Sequence, residues 1–168
     1  MDILKTRGAF FGNDIINRSR AGETSFDGIW TFHEDIAPFS PDILMLHFGI
    51  DDAYFPVYRS EFKENLVQMV RLAKNFTGRI ILLTSHDFDN QYDRDSMNIY
   101  YRTIREVSVD LACGMIPVHT YWRGYCEERG LDNSGFVQRD ERYPTEKGHE
   151  IYAEAVENNF ERITGSMS

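Results

Sequence analysis

Pro41-Asp42-Ile43-Leu44-Met45-Leu46-His47-Phe48-Gly49-Ile50-Asp51-Asp52-Ala53 is the stretch on which the fold turns. A Pro-Asp breaker opens it, and a nearly continuous apolar run follows. A parallel strand covered on both faces has that composition, whereas a half-solvated strand alternates. The run stops at Gly49, and two carboxylates follow at once. Ligands of open parallel sheets bind beyond the carboxyl ends of the strands. Gly49 to Ala53 is therefore where a site is expected.

Working outward, Arg79–Thr84 and Met115–Val118 are two further buried strands, with Ile80, Ile81, Leu82 and Leu83 in the first. Between them stand helices. Glu61 to Asn75 carries Phe62, Leu66, Met69, Val70 and Ala73 on one stripe, and Ser96 to Ala112 carries Met97, Tyr101, Ile104, Val107 and Leu111. Thr24 or Ser25 is a plausible helix cap ahead of Ile29, Trp30 and His33. Thr145 to Ile163 closes the chain as an amphipathic helix. Asp14–Asn17 is a short strand candidate, Met1 to Asn13 a weak helix or coil, and the stretch from Trp122 to Arg139 is expected to be rich in loops. Strand and helix alternate, which predicts one domain with a three-layer α/β/α parallel sheet and right-handed crossovers.

Three segments in this order resemble the SGNH (GDSL-type) hydrolases. "PDILMLHFGIDDA" is similar to the block in which a buried strand ends in Gly-x-Asn-Asp. "NDIINRSRAGETS" is similar to the block with an oxyanion-hole glycine, matched by Gly22. "DERYPTEKGHEIYAEAV" is similar to the last block, Asp-x-x-His-Pro followed by Gly-His and a helix. The resemblance covers Asn13 to Val156. It implies a flavodoxin-like sheet of the SGNH type and an acyl or acetyl ester as substrate class. It places Gly22, Gly49 and Asp51 in oxyanion or substrate-binding positions, and Asp140 in that of the triad acid.

The catalytic inventory departs from the family. No Gly-Asp-Ser occurs in the sequence, so the chain is expected to lack the first central strand and its nucleophile. Asp51 stands where the family has an oxyanion-hole asparagine, and an ionised carboxylate donates no hydrogen bond. Tyr143 stands where the family has its histidine. With a phenol pKa near 10, only about one molecule in a thousand carries the phenolate base at pH 7. The expectation is a degraded, inactive or weakly active esterase-like domain holding a small ester or acylated sugar. A working hydrolase on Asp140, His149 and Ser19 is the alternative, and a plain interaction module is a third.

Other patterns carry less. His86 to Asp95 has the first two alternating oxygens of a calcium loop but neither its glycine nor its closing glutamate, and a solvated loop with a helix cap at Asp95 or Ser96 is the reading. His47 reads as a hydrogen-bonded sheet histidine, and Cys113 as packing. Neither a metal nor a cofactor is expected. The net charge of −9 over 168 residues argues against nucleic-acid and anionic-membrane partners. Two cysteines make no disulfide framework, and a cytoplasmic location is the expectation. An uncovered edge on the Ile43–Phe48 strand would be closed either by Asp14–Asn17 or by a second copy, as a homodimer.

Overall fold

The computed structural model describes residues 10, 13–55 and 57–166. Three parallel strands, β1 (Ile43–His47), β2 (Arg79–Leu83) and β3 (Gly114–Ile116), lie in the order β1-β2-β3, with Leu44 opposite Ile80 and Leu82 opposite Met115. Helices α1 (Ser25–Trp30) and α2 (Phe32–Asp35) precede the sheet. Helix α3 (Ile50–Tyr54) follows β1, α4 (Arg59–Ala73) leads to β2, α5 (Gln91–Asp110) to β3, and α6 (Val118–Arg129) and α7 (Glu146–Ser166) complete the chain.

The two-residue period of the strands sorts the core into two faces. Leu44, Leu46, Ile80 and Leu82 point to one side, against Phe62, Leu66, Met69 and Val70 of α4 and Ile104 and Val107 of α5. Ile81, Leu83 and Ile116 point to the other, against Ala155, Val156 and Ile163 of α7. The three layers expected from alternating strands and helices are present, and so are all three interior strands.

Three expectations are corrected. Asp14–Asn17 is extended coil, not a strand, and does not pair with β1: Ile15 packs against the α7 side of the core while Ile16 stays half exposed. Among the described residues β1 has a strand neighbour only in β2. Helix α5 begins at Gln91, five residues ahead of the expected start, because the Asn90 side chain accepts the Tyr92 N–H at 2.8 Å and caps it there. The stretch after Val118 is helical through Arg129, with Val118, Trp122 and Cys126 buried at four-residue spacing and Gly130 at φ +61° ending it. The expected weak helix over Met1 to Asn13 lies almost wholly outside the described residues.

Candidate functional site

Gly49 leaves β1 at φ +122°, a conformation open to glycine, and so turns the chain into α3. Its N–H is spent on the Asp52 carboxylate at 3.0 Å. Asp52 is wholly buried and also accepts the Ser25 N–H at 2.9 Å and the Ser25 hydroxyl at 2.5 Å. One carboxylate thus anchors the starts of α1 and α3. Burial pushes its pKa up, against the pull of those donors. Asp52 is architecture, and its neighbour Asp51 turns toward the hairpin that carries Arg142 and Tyr143.

Asp51 is buried and paired. Its Oδ1 accepts the Tyr143 hydroxyl at 2.8 Å and the Arg142 guanidinium Nη2. The Gly22 backbone N–H lies near the Tyr143 phenol and slightly favours its ionisation. Gly22 sits at φ +87°, at the tip of a segment held by two arginines: Arg18 and Arg20 both bond Asp35, Arg20 through 2.6 and 2.9 Å contacts. Burial first, and then the Asp51 carboxylate, raise the Tyr143 phenol above its ordinary value. A phenol that is harder to ionise is a still poorer base. Tyr143 and Arg142 therefore form one hydrogen-bonded cluster on Asp51, with the Gly22 N–H beside it.

The turn that carries Arg142 and Tyr143 is itself braced. Val137 and Pro144 form an antiparallel bridge, Gln138 N–H donates to the Tyr143 carbonyl at 2.7 Å, and Asp140 Oδ1 accepts the Arg142 N–H at 3.1 Å. Asp140 is exposed and bonds its own turn, not the Tyr143 ring. His86, fully buried against Phe88 and Trp122, bonds the Glu141 carbonyl through Nε2 at 2.8 Å. A carbonyl only accepts, so Nε2 carries the proton and Nδ1 is a bare lone pair, without a partner.

Neither Ser19 nor His149 joins this chain. Ser19 is exposed, with its N–H on the Asn17 side chain at 2.9 Å, and no hydrogen bond links it to an imidazole among the described residues. Beyond the ends of β1 and β2 lies a second polar network. Tyr152 O–H meets His47 Nε2 at 3.0 Å, so His47 is a hydrogen-bonded sheet histidine. Thr84 Oγ1 meets His119 Nδ1 at 2.8 Å, and also accepts the His119 N–H at 3.2 Å. This hydroxyl–imidazole pair caps α6. Thr84 is fully buried, out of reach of a substrate. Among the described residues no group of three potential metal ligands gathers, the His86–Asn90 loop included. Sequence reasoning missed Arg142 and the Ser25–Asp52 pair, and read His86 as the start of a solvated loop. A charged residue beside Tyr143, in the turn that resembles the family's last block, was the one readable signal.

The buried histidine makes stability depend on pH. Burial pushes His86 down to about 4, and the bond to the Glu141 carbonyl opposes this only in part. The unfolded chain takes up the proton near pH 6.5, whereas the folded chain waits until about 4. Stability is thus complete above pH 6.5 and falls as the pH drops toward 4, by about 3 kcal/mol from this group. Asp35, held well below the usual carboxylate range by Arg20 and Arg18, adds its loss only at lower pH. Burial pushes His47 and His119 to about 4 as well, so urea melts between pH 7 and 4.5 are expected to show a decline that His86→Gln, which keeps a donor, reduces by its own share without abolishing it.

A sheet with a glycine loop, an acidic strand end and a hairpin turn meeting at one end has the layout of a GDSL-type hydrolase. Residues 2–151 match the GDSL-like Lipase/Acylhydrolase family, and the chain belongs to that family. It is 26% identical over 193 aligned positions to an uncharacterized lipoprotein, YqeF, of Bacillus subtilis (strain 168), covering 94% of this chain and 77% of the relative. Its fold is similar to that of an acetylxylan esterase, Axe2, from Geobacillus stearothermophilus, with a TM-score of 0.81 at 23% identity over 98% of this chain and 78% of that one. It also resembles an α/β hydrolase from the metagenome of Lake Arreo, Spain, at TM-score 0.77, 22% identity and coverage of 91% and 73%. No helix of the described residues is long and apolar enough to cross a membrane.

Proposed function

We propose that this chain is a GDSL-family domain whose crevice holds a small ester or acylated sugar without turning it over. The observation that carries the reading is the hydrogen-bonded cluster Tyr143–Asp51–Arg142, in which both donors are spent on Asp51. The Gly22 N–H that an oxyanion would use lies beside the Tyr143 phenol. The Asp51 position offers a carboxylate, which repels negative charge where a donor would stabilise it. The residue at the base position is a tyrosine whose proton is held more tightly than usual.

The comparisons support the substrate class and the placing of these roles. The Geobacillus esterase acts on acetylxylan by its name, and catalytic mutants of it alter a serine, an aspartate and a histidine. The aspartate and histidine stand three positions apart, as Asp140 and Tyr143 do here. Losing the serine or histidine of such a set costs on the order of a millionfold in turnover. The alternative, a working hydrolase on Asp140, His149 and Ser19 or another hydroxyl, has no supporting hydrogen bond between Ser19 and an imidazole among the described residues.

Labelling tests the reading. Incubation with an alkyl fluorophosphonate, followed by intact-mass measurement, is expected to leave the protein unmodified. A single adduct mapped to a serine would overturn the proposal.

A further inference from the structure

Arg142 sits in its place as a ligand would. Its guanidinium carbon lies 5.2 Å from the centre of the Tyr54 ring, 5.0 Å from that of Phe55 and 5.2 Å from that of Tyr143. Its Nη2 bonds the Asp51 carboxylate. Three aromatic rings within about 6 Å of a cation and a carboxylate at the base are the parts from which proteins build cages for guanidinium and quaternary ammonium groups.

Two further observations set this arrangement apart from an ordinary ion pair. First, the fit is incomplete. Arg142 Nε is buried without a partner, and so is Oε2 of Glu141, which holds the positive φ of +56° that a non-glycine residue seldom adopts. Unmet polar atoms and an unfavourable backbone angle meet in the two residues that deliver the guanidinium. Second, the rim is open and acidic. Tyr54 and Phe55 are 43% and 48% exposed, and Asp93, Asp140 and Glu141 all act on the Tyr54 hydroxyl. Three carboxylates around the mouth favour a cation over an anion.

We propose that the mouth of the crevice is a cation cage of Tyr54, Phe55, Tyr143 and Asp51, filled from within by Arg142, and that it takes a ligand's guanidinium or quaternary ammonium group when Arg142 swings out. This rests on the reading of the crevice as a binding site and names the chemistry of the group it admits. Arg142 competes with that group, so removing the internal occupant strengthens binding.

Calorimetric titration with methylguanidinium chloride and with choline chloride, against sodium chloride at equal ionic strength, tests it in the full chain. Arg142→Ala is expected to bind both probes about tenfold more tightly than the wild type, the weight of one desolvated cation–ring contact. Adding Asp51→Asn to that variant is expected to weaken methylguanidinium by a similar factor, and adding Tyr54→Ala to weaken choline. Should Arg142→Ala not fold, Arg142→Met, which keeps the packing of the stem, carries the same comparison. Affinity no tighter than that of the wild type, or binding that survives loss of Asp51 and Tyr54, would overturn the cage. Such a failure leaves the labelling result untouched, and an adduct on a serine would refute the catalytic reading without moving either affinity.

Discussion

Gly148→Ala is expected to cost about 3 kcal/mol of stability, at the upper end of what overpacking does. Gly148 lies in the first turn of α7, where Thr145 caps the helix through its hydroxyl at 3.3 Å. A Cβ there would be driven into the Phe136 carbonyl oxygen and would stand 2.9 Å from both the Pro144 Cβ and the Trp122 ring. The first obstacle is backbone and cannot rotate away. Relief requires α7 to part from the Phe136–Pro144 hairpin, which carries the Arg142–Tyr143 turn. Thermal melting is expected to fall by roughly 6 to 12 °C. Gly124→Ala in the middle of α6 is the control: a Cβ there meets nothing within 4 Å, so the better helix propensity of alanine is expected to give up to about 1 kcal/mol in the other direction. Equal effects at the two positions would show that α7 does not lie as close to the hairpin as described.

Asp51→Asn is expected to destabilise by about 2 kcal/mol. Breaking a buried ion pair by removing one partner costs about 3–5 kcal/mol because the other charge is stranded. Here the Arg142 side chain is 20% exposed and recovers part of its hydration, which lowers the figure. The amide oxygen still accepts from Tyr143, but it no longer opposes ionisation of the phenol. The Tyr143 absorbance titration is therefore expected to move down toward the ordinary tyrosine value. Asparagine also restores the amide that the family carries at this position, yet ester turnover is expected to stay absent. On the proposed reading, Asp51→Asn supplies neither a base nor a nucleophile. If Asp51→Asn alone produced turnover, the carboxylate would have been the sole obstacle.

Much of the fold was legible because it rests on period and burial. The apolar runs around Leu44, Ile81 and Ile116 became strands, and the stripes through Leu66 and Ile104 became the helices that cover one face. The misses have physical causes. Helix α6 has a polar, aromatic-rich surface, and its stripe of Val118, Trp122 and Cys126 is only three residues wide. Asp14–Asn17 has two β-branched isoleucines at its centre, as a short strand would, but such a segment needs a paired neighbour to become one, and that is a tertiary fact. Gly22, Asp51 and Tyr143 were found by resemblance, and a hydrogen bond joins the last two. Arg142 was overlooked because, apart from its place beside Tyr143, a surface-type side chain in a turn gives no hint that it will fold inward. His86 was hidden in the same way, since what matters is the carbonyl it holds 55 residues away.

The central claim is that the chain's own side chains have closed the crevice where the family performs acyl transfer. Initial-rate hydrolysis of 4-nitrophenyl acetate, by the wild type and by Asp140→Asn side by side, tests it most directly. The account predicts rates indistinguishable from buffer for both proteins. Turnover well above buffer that disappears in Asp140→Asn would contradict it.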